Sequence, residues 1–267
     1  SSVEMNSGLQ FYDGITTKEI QSILIKSAAD LISLESPNYQ YVAARLLLFQ
    51  VRKNVFNTKW KDAEIYPSLL DIVERNITQG VYDGEILRKY SSSEIELLDA
   101  YIKHGRDLDF TWAGLQQIVD KYLVQDRSSG HVFETPQFMY ILIAMTLFAR
   151  YSKEYRLDYV KRYYDAISQF KINIPTPVMA GVRTPMRQFA SCVLVDVDDS
   201  LDSIFSSDLA LGKYVAQRAG IGINAGRIRG LGSKIREGEV QHTGVIPFLK
   251  KFESTVRCCT QNGVRGG

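Results

Sequence analysis

The sequence predicts an α+β / α/β protein in which a helical first part is followed by an α/β unit. Three observations lead there. Apolar residues recur at helical spacing through most of the chain up to residue 171. After Ile172 the pattern shifts to short strand-like runs, and long helical stretches separate those runs. With 267 residues, 45% of them hydrophobic, the chain can bury one large core or two small ones.

From 16 to 34 the apolar positions Ile20, Ile23, Leu24 and Leu31 mark a helix, with Thr16 or Thr17 as N-cap and Glu19 in the first turn. A second helix begins after Pro37 and runs through "YQYVAARLLLFQVRK". It is apolar almost all round and is therefore expected to be buried. Further helices are predicted over 67–78, 93–103 and 111–120, separated by turn signals at Gly80, Asp83-Gly84 and Gly105. The segment "KYLVQDRSSGHVFE" reads as a hairpin turning over 127–130. Helices over 136–150 and 155–170 complete the first part. Beyond Ile172, "INIPTPVMAG", "SCVLVDV" and "GIGINAG" read as strands buried on both faces, alternating with helices over 201–218 and 245–258. A boundary is placed near residue 172, and no repeat or low-complexity tract is seen. The chain stops on "CTQNGVRGG", which reads as an interrupted domain and suggests truncation or a split gene.

Composition narrows the function. Lys and Arg (32) nearly balance Asp and Glu (30), so no basic stripe announces nucleic acid. The apolar run 139–148 is far short of the roughly 20 residues that span a bilayer, and the start "SSVEMNSG" lacks signal-peptide character. A soluble, cytoplasmic protein is expected. Three cysteines, Cys192, Cys258 and Cys259, cannot all pair and show no metal-ligand spacing, which argues for a reducing compartment. Cys258 and Cys259 are read as structural. His104, His131 and His242 are scattered and are read as exposed or satisfied, so no metal site is expected.

Three segments carry residue types suited to chemistry. In "CVLVDVDDSLDSIF" a strand leads into Asp198, Asp199 and Ser200, which open a helix. These are N-cap types, and the cap by itself is a sufficient explanation. The functional alternative is that the helix N-terminus faces an anion while an Asp carboxylate accepts from a sugar hydroxyl, which suits a nucleotide. The stretch "RAGIGINAGRIRGLGSKIREGE" holds six glycines together with Arg218, Arg227, Arg229, Lys234 and Arg236. Glycine lets backbone approach a ligand and arginine forks onto phosphate. The stretch is neither a P-loop nor a dinucleotide fingerprint, and its glycines could equally serve turns and tight packing. In "PTPVMAGVRTPMRQFASC" two prolines and Thr176 stand at a strand end, Arg183 and Arg187 follow, and the hydroxyls of Thr176 and Ser191 with the Cys192 thiol could line a polar pocket.

Together the stretches "FYDGITTKEI", "YQYVAARLLLFQVRK", "YLVQDRSSGHVFETPQF", "PTPVMAGVRTPMRQFASCVL", "DSLDSI", "RAGIGINAGRIRGLGS", "HTGVIPF" and "QNGVRGG" resemble, in order, the large (alpha) subunit of class Ia ribonucleotide reductases of the bacterial and T-even phage type. The resemblance implies the N-terminal part of that subunit: a helical domain followed by the first strands and helices of a ten-stranded α/β barrel. Residues 1–53 would be a remnant of the ATP-binding cone with linking helices, 54–171 the helical domain with its β-hairpin, and 172–267 the start of the barrel.

The resemblance also implies site residues and partners. Cys192 would be one of two cysteines that reduce the ribose and end as a disulfide. Thr176, Ser191 and Gly220 would line the substrate pocket, and Gln261 and Arg265 would read the substrate base. Asp199, Ser200, Leu201, Arg229, Ile235 and Arg236 would form the effector-specificity site for a deoxynucleoside triphosphate or ATP. Thr17 and Lys53 match ATP contacts of the cone. No cofactor is expected in this chain, since the radical would come from a separate metal-containing small (beta) subunit. Other implied partners are a second large subunit, thioredoxin or glutaredoxin, the C-terminal half of the same subunit and a ribonucleoside diphosphate. Gln21, Ala190 and Asn262 depart from the residues common in the family.

Overall fold

A computed structural model describes residues 2–56 and 65–260. The chain forms two compact units, Ser1–Ile174 with Val178–Met186, and Pro175–Pro177 with Arg187–Gly267.

The first unit is helical. Its helices are α1 (Ser2–Gly8), α2 (Thr17–Ala29), α3 (Tyr39–Phe56), α4 (Leu69–Thr78), α5 (Glu85–Lys89), α6 (Ser92–Asp99) and α7 (Trp112–Gln117). A short hairpin of β1 (Gln125–Asp126) and β2 (His131–Val132) follows, then α8 (Pro136–Phe148) and α9 (Arg156–Ser168). Local chemistry sets several helix starts. At α2 the Thr16 hydroxyl accepts from the Glu19 N–H while the Glu19 carboxylate accepts from the Thr16 N–H at 2.8 Å, and Ser91 with Glu94 repeats this arrangement at α6. Two helices are shorter than their periodicity predicts, ending at Ala29 and Asp99 in place of 34 and 103. Beyond those ends the chain tightens into i→i−3 bonds, such as Ile32 N–H to Ala29 and Ile102 N–H to Asp99, so the apolar spacing outlasts the helix.

The core is built around α8, which is buried at every position from Pro136 to Met145. Its opening proline has no N–H to leave unsatisfied. Val160, Tyr164 and Ile167 of α9 are buried as well, and α8 and α9 pack together. The predicted hairpin is present, with Gln125 opposite Val132 and Asp126 opposite His131. The Asp126 carboxylate closes its turn by accepting from the hydroxyls of Ser129 (2.6 Å) and Ser128 (2.7 Å) and from the Ser128 N–H, which holds its pKa down at about 2.

The second unit contains β3 (Cys192–Asp196), α11 (Leu201–Ala216), β4 (Gly220–Asn224), a hairpin of β5 (Lys234–Ile235) and β6 (Val240–Gln241), and α12 (Ile246–Cys259). Between β2 and β3 the helices α8 and α9 are followed by α10 (Thr176–Gly181). β3 and β4 are parallel neighbours, and Cys192 pairs with Gly220, Leu194 with Gly222 and Asp196 with Asn224. Val195, Ile221 and Ile223 pack against a core of Val197, Ile204, Leu211, Val215, Ile228 and Phe252. Because strand side chains alternate, Cys192, Leu194 and Asp196 lie on the opposite face. That face is open, and Leu194 is 87% exposed.

The structure corrects three expectations. Among the described residues β3 and β4 are covered on one face only, because the two helices that pack on them, α11 and α12, share that side. The run "INIPTPVMAG" does not form a strand: its last six residues are α10, where Pro177 sits in the first turn and so removes no helical hydrogen bond. Helix α3 is not buried all round: it buries Ala43, Ala44, Leu47, Leu48, Val51 and Val55 on one side and leaves Val42 39% exposed. Among the fully buried side chains of the first unit is Arg183. Its side chain is fully buried in an ion pair with Glu134, donates to the carbonyls of Met179 (2.6 Å) and Tyr122 (2.9 Å), and shares Glu134 with the Tyr82 hydroxyl and the Val124 N–H. This cluster ties four segments of the first unit together.

Candidate functional site

The open face of β3 and β4 begins with the reactive group. Cys192 is exposed, with its thiol free, at the first position of β3. Its register partner Gly220 has no side chain to cover it, and the Gly220 N–H donates to the Ser191 carbonyl at 2.9 Å, fixing the strand starts side by side. Two positions along, Leu194 lies over Gly222 so closely that a Cβ there would meet its Cδ2 at 2.7 Å. Ser191 and Thr176 are half-buried; Thr176 opens α10, and residues 175–177 belong to the same compact unit as Cys192.

At the far end of β3 the turn into α11 is a web of carboxylates and guanidinium groups. Ser200 caps α11, its hydroxyl accepting from the Ser203 N–H at 3.1 Å, and the Ser203 hydroxyl accepts from the Asp198 N–H. The Asp199 carboxylate accepts from the backbone N–H of Arg229 (3.1 Å) and from its Nε (2.7 Å). These bonds hold its pKa below the usual carboxylate range. Arg229 also reaches the Lys234 carbonyl, at 3.3 Å. Helix α11 thus opens beside a carboxylate and a guanidinium, groups able to meet a sugar hydroxyl and a phosphate. Leu201, in the first turn, is 61% exposed.

Part of the glycine-rich stretch is a hairpin that periodicity did not reveal. Lys234 pairs with Gln241 and Ile235 with Val240. Between them Arg236, Glu237 and Gly238 all have positive φ (49°, 60° and 104°), so two side-chain-bearing residues occupy a conformation that favours glycine. Ile235 is half-buried and Arg236 exposed, 3.6 Å from the Glu239 carboxylate. The strands are two residues long, too short for alternation to show.

Other candidate residues fall elsewhere. Thr17 opens α2 and Lys53 lies in the last turn of α3, both exposed. Gln21 ties these helices, its amide donating to the Leu46 carbonyl at 2.8 Å. Gln261, Arg265 and Asn262 lie outside the described residues. Cys258 is exposed, whereas Cys259 packs against α11, its sulfur 3.1 Å from where a Cβ on Gly212 would stand. His242 accepts from the Gly244 N–H, and His104 stacks on Tyr66 at 3.8 Å. Among the described residues no group of three or more His, Cys, Asp or Glu could hold a metal, and no helix is long and apolar enough to cross a membrane. A cavity of about 460 Å³ in the first unit, lined by residues such as Phe110, Tyr140 and Phe170, contains none of the candidates. Arg227 pairs with Asp198 and with Asp196, a residue that local spacing did not single out; its signal is the run of aspartates at 196, 198 and 199 facing arginines at 227 and 229.

Residues 108–187 match the ribonucleotide reductase all-alpha domain, and residues 190–267 match the ribonucleotide reductase barrel domain. Over its whole length the chain is 54% identical to ribonucleoside-diphosphate reductase 1 subunit alpha of Salmonella typhimurium and 53% identical to that of Escherichia coli, covering 34% of each. It is 49% identical over 96% of its length to the ribonucleoside-diphosphate reductase subunit alpha of Enterobacteria phage T4, covering 33% of it. The chain therefore spans about a third of the length of these relatives. A helical unit that matches the all-alpha domain, followed by parallel strands that match the start of the barrel, makes this chain a member of the ribonucleotide reductase large-subunit family.

Proposed function

We propose that the chain is part of the catalytic subunit of a ribonucleoside-diphosphate reductase, which reduces ribonucleoside diphosphates to deoxyribonucleotides by radical and dithiol chemistry under allosteric control. The observation that carries this reading is the free, exposed thiol of Cys192 at the start of β3, beside Gly220 on an open strand face. Cys192 would act with a second cysteine from the remainder of the subunit. Two thiols give up two electrons and two protons and become a disulfide, while the ribose 2′-hydroxyl leaves as water. Thioredoxin or glutaredoxin would then restore the thiols by exchange. Thr176, Ser191 and Gly220 would hold the substrate near that thiol, with Gln261 and Arg265 reading its base. The radical would be supplied by a separate metal-containing small subunit.

Asp199, Ser200, Leu201, Arg229, Ile235 and Arg236 would bind a deoxynucleoside triphosphate or ATP. The capped start of α11 and the Asp199–Arg229 pair support this assignment. Leu201, Phe205 and Leu209 form an exposed apolar stripe at i, i+4 and i+8 along α11, suited to a second large subunit across a two-fold axis. Residues 1–53, with Thr17 and Lys53, would be the cone remnant, 54–171 the helical domain and 172–267 the beginning of the barrel, in a cytoplasmic protein.

A second reading is favoured by one observation: the capped start of α11, the Asp199–Arg229 pair and the exposed stripe of α11 stand together in this chain. By itself the chain would then be a nucleotide-binding and dimerisation module. Both readings are tested in one assay. Cys192→Ser in the full-length subunit should abolish thioredoxin-dependent multiple turnover of CDP, and retained multiple turnover would refute the dithiol role. In the same assay the 267-residue chain should turn over only when the remainder is supplied in trans.

A further inference from the structure

We propose that Arg227 is a positioning residue that acts on the nucleotide site through its charge: it neutralises two of the three aspartates beside that site. The proposal rests on the reading that Asp199 and Arg229 bind a nucleoside triphosphate. The segments 196–199 and 224–229 run alongside each other and are joined at successive points. The Asn224 side-chain amide donates to Asp196 Oδ1 at 2.8 Å, and its Oδ1 accepts from the Gly226 N–H at 3.1 Å. Arg227 follows, one guanidinium nitrogen 2.8 Å from Asp196 Oδ2 and the other 2.7 Å from Asp198 Oδ1. Ile228 then enters the core, 7% exposed, and Arg229 meets Asp199. Asp198 and Asp199 face different arginines, and one guanidinium forks across two carboxylates from different parts of the β3–α11 turn.

This geometry has an electrostatic consequence. Asp196, Asp198 and Asp199 place three negative charges within four residues at a site that would accept a polyphosphate. Arg229 offsets one of them. Without Arg227, Asp196 and Asp198 would stand uncompensated where an anion must arrive, and like charges at such a distance weaken binding. Both partners of Arg227 are substantially exposed, with side-chain exposures of 48% and 67%, so the pairs add little to folding stability. Their effect is therefore expected on ligand affinity and not on the melting temperature.

Equilibrium binding of dTTP to the full-length subunit tests this. Arg227→Gln should weaken binding about tenfold, with the melting temperature unchanged. Arg227→Lys, which keeps the charge, should retain most of the affinity. Asp196→Asn with Asp198→Asn should restore binding in the Arg227→Gln background, which a purely structural role would not allow. Parent-like binding by Arg227→Gln, no recovery in the neutralised variant, or a marked drop in the melting temperature of Arg227→Gln would each overturn the proposal. Arg229→Ala separates this from the reading beneath it. If Arg229→Ala has lost dTTP and Arg227→Gln has not, the nucleotide site stands and the role of Arg227 falls; if neither variant alters binding, both fall.

Discussion

Asp107 is fully buried in the first unit, and only one of its oxygens is well served. Oδ1 accepts from the Gln137 amide at 2.9 Å; Oδ2 has no hydrogen-bond partner, and Arg52 stands 3.8 Å away, too far to donate. Burial, opposed by the Gln137 bond and Arg52, pushes its pKa up to about 7. The other titratable groups around it are His104, pushed down to about 4 by burial, and the Tyr140 and Tyr164 hydroxyls, both held above the ordinary tyrosine value by burial. The folded chain thus keeps a proton on Asp107 that the unfolded chain releases at lower pH. Its contribution to stability is present below the ordinary carboxylate value and is lost as pH rises through about 7. Asp107→Asn should flatten that dependence. Melting temperatures of the parent and the variant across roughly pH 5 to 8 should diverge as pH rises, the parent falling faster, and parallel curves would contradict the assignment. Nothing in the sequence around Asp107 announced this, because desolvation depends on Gln137, Arg52 and Tyr140, which are distant in the chain.

At the scale of elements, the sequence was most informative where one helix had to satisfy its surroundings on one side. On all sides the pattern misled for α3, which buries only one side, while α8 is the helix buried throughout; α11, with Ile204, Leu211 and Val215 buried, shows the half-apolar pattern of a surface helix. What the pattern cannot explain is the second apolar line on α11, where Phe205 is 51% and Leu209 60% exposed. An exposed line of this kind is what the proposed subunit contact requires. Leu209→Glu in the full-length subunit should shift sedimentation from dimer to monomer while leaving the helical circular dichroism unchanged; a dimer that persists at low concentration would exclude α11 as the contact. Four elements depart from the sequence pattern: the short helices α1 and α5, which no periodicity marks, α10 and the β5–β6 hairpin. α10 has the prolines and β-branched valine of a strand, yet proline is tolerated in a helix's first turn. The β5–β6 hairpin was hidden by its length and by two non-glycine residues at positive φ in its turn.

For the whole molecule, the proposed activity requires that an effector near α11 influence a substrate near Cys192, and the shared path on these residues is short. β3 carries Cys192 at one end and runs through Asp196 to the turn that holds Asp199. Asp199→Ala should blunt the effector's influence on substrate choice, a coupling between two sites. The readout is product ratios in a mixed-substrate assay of the full-length enzyme with and without dTTP, and an unchanged base preference would count against Asp199. The sequence by itself determined the class of fold, the order of most of its helices, the hairpin at 125–132 and the segments that hold the thiol and the capped helix, because these follow from local periodicity, capping chemistry and short motifs. Only the tertiary structure decided that Arg183 is a buried tie to Glu134, that Cys192 stands opposite Gly220 on an open face, and that Arg227 bridges Asp196 and Asp198. Each of those depends on segments about 30 to 50 residues apart meeting in space, and pairing at that range is set by packing and strand register, which no local pattern encodes.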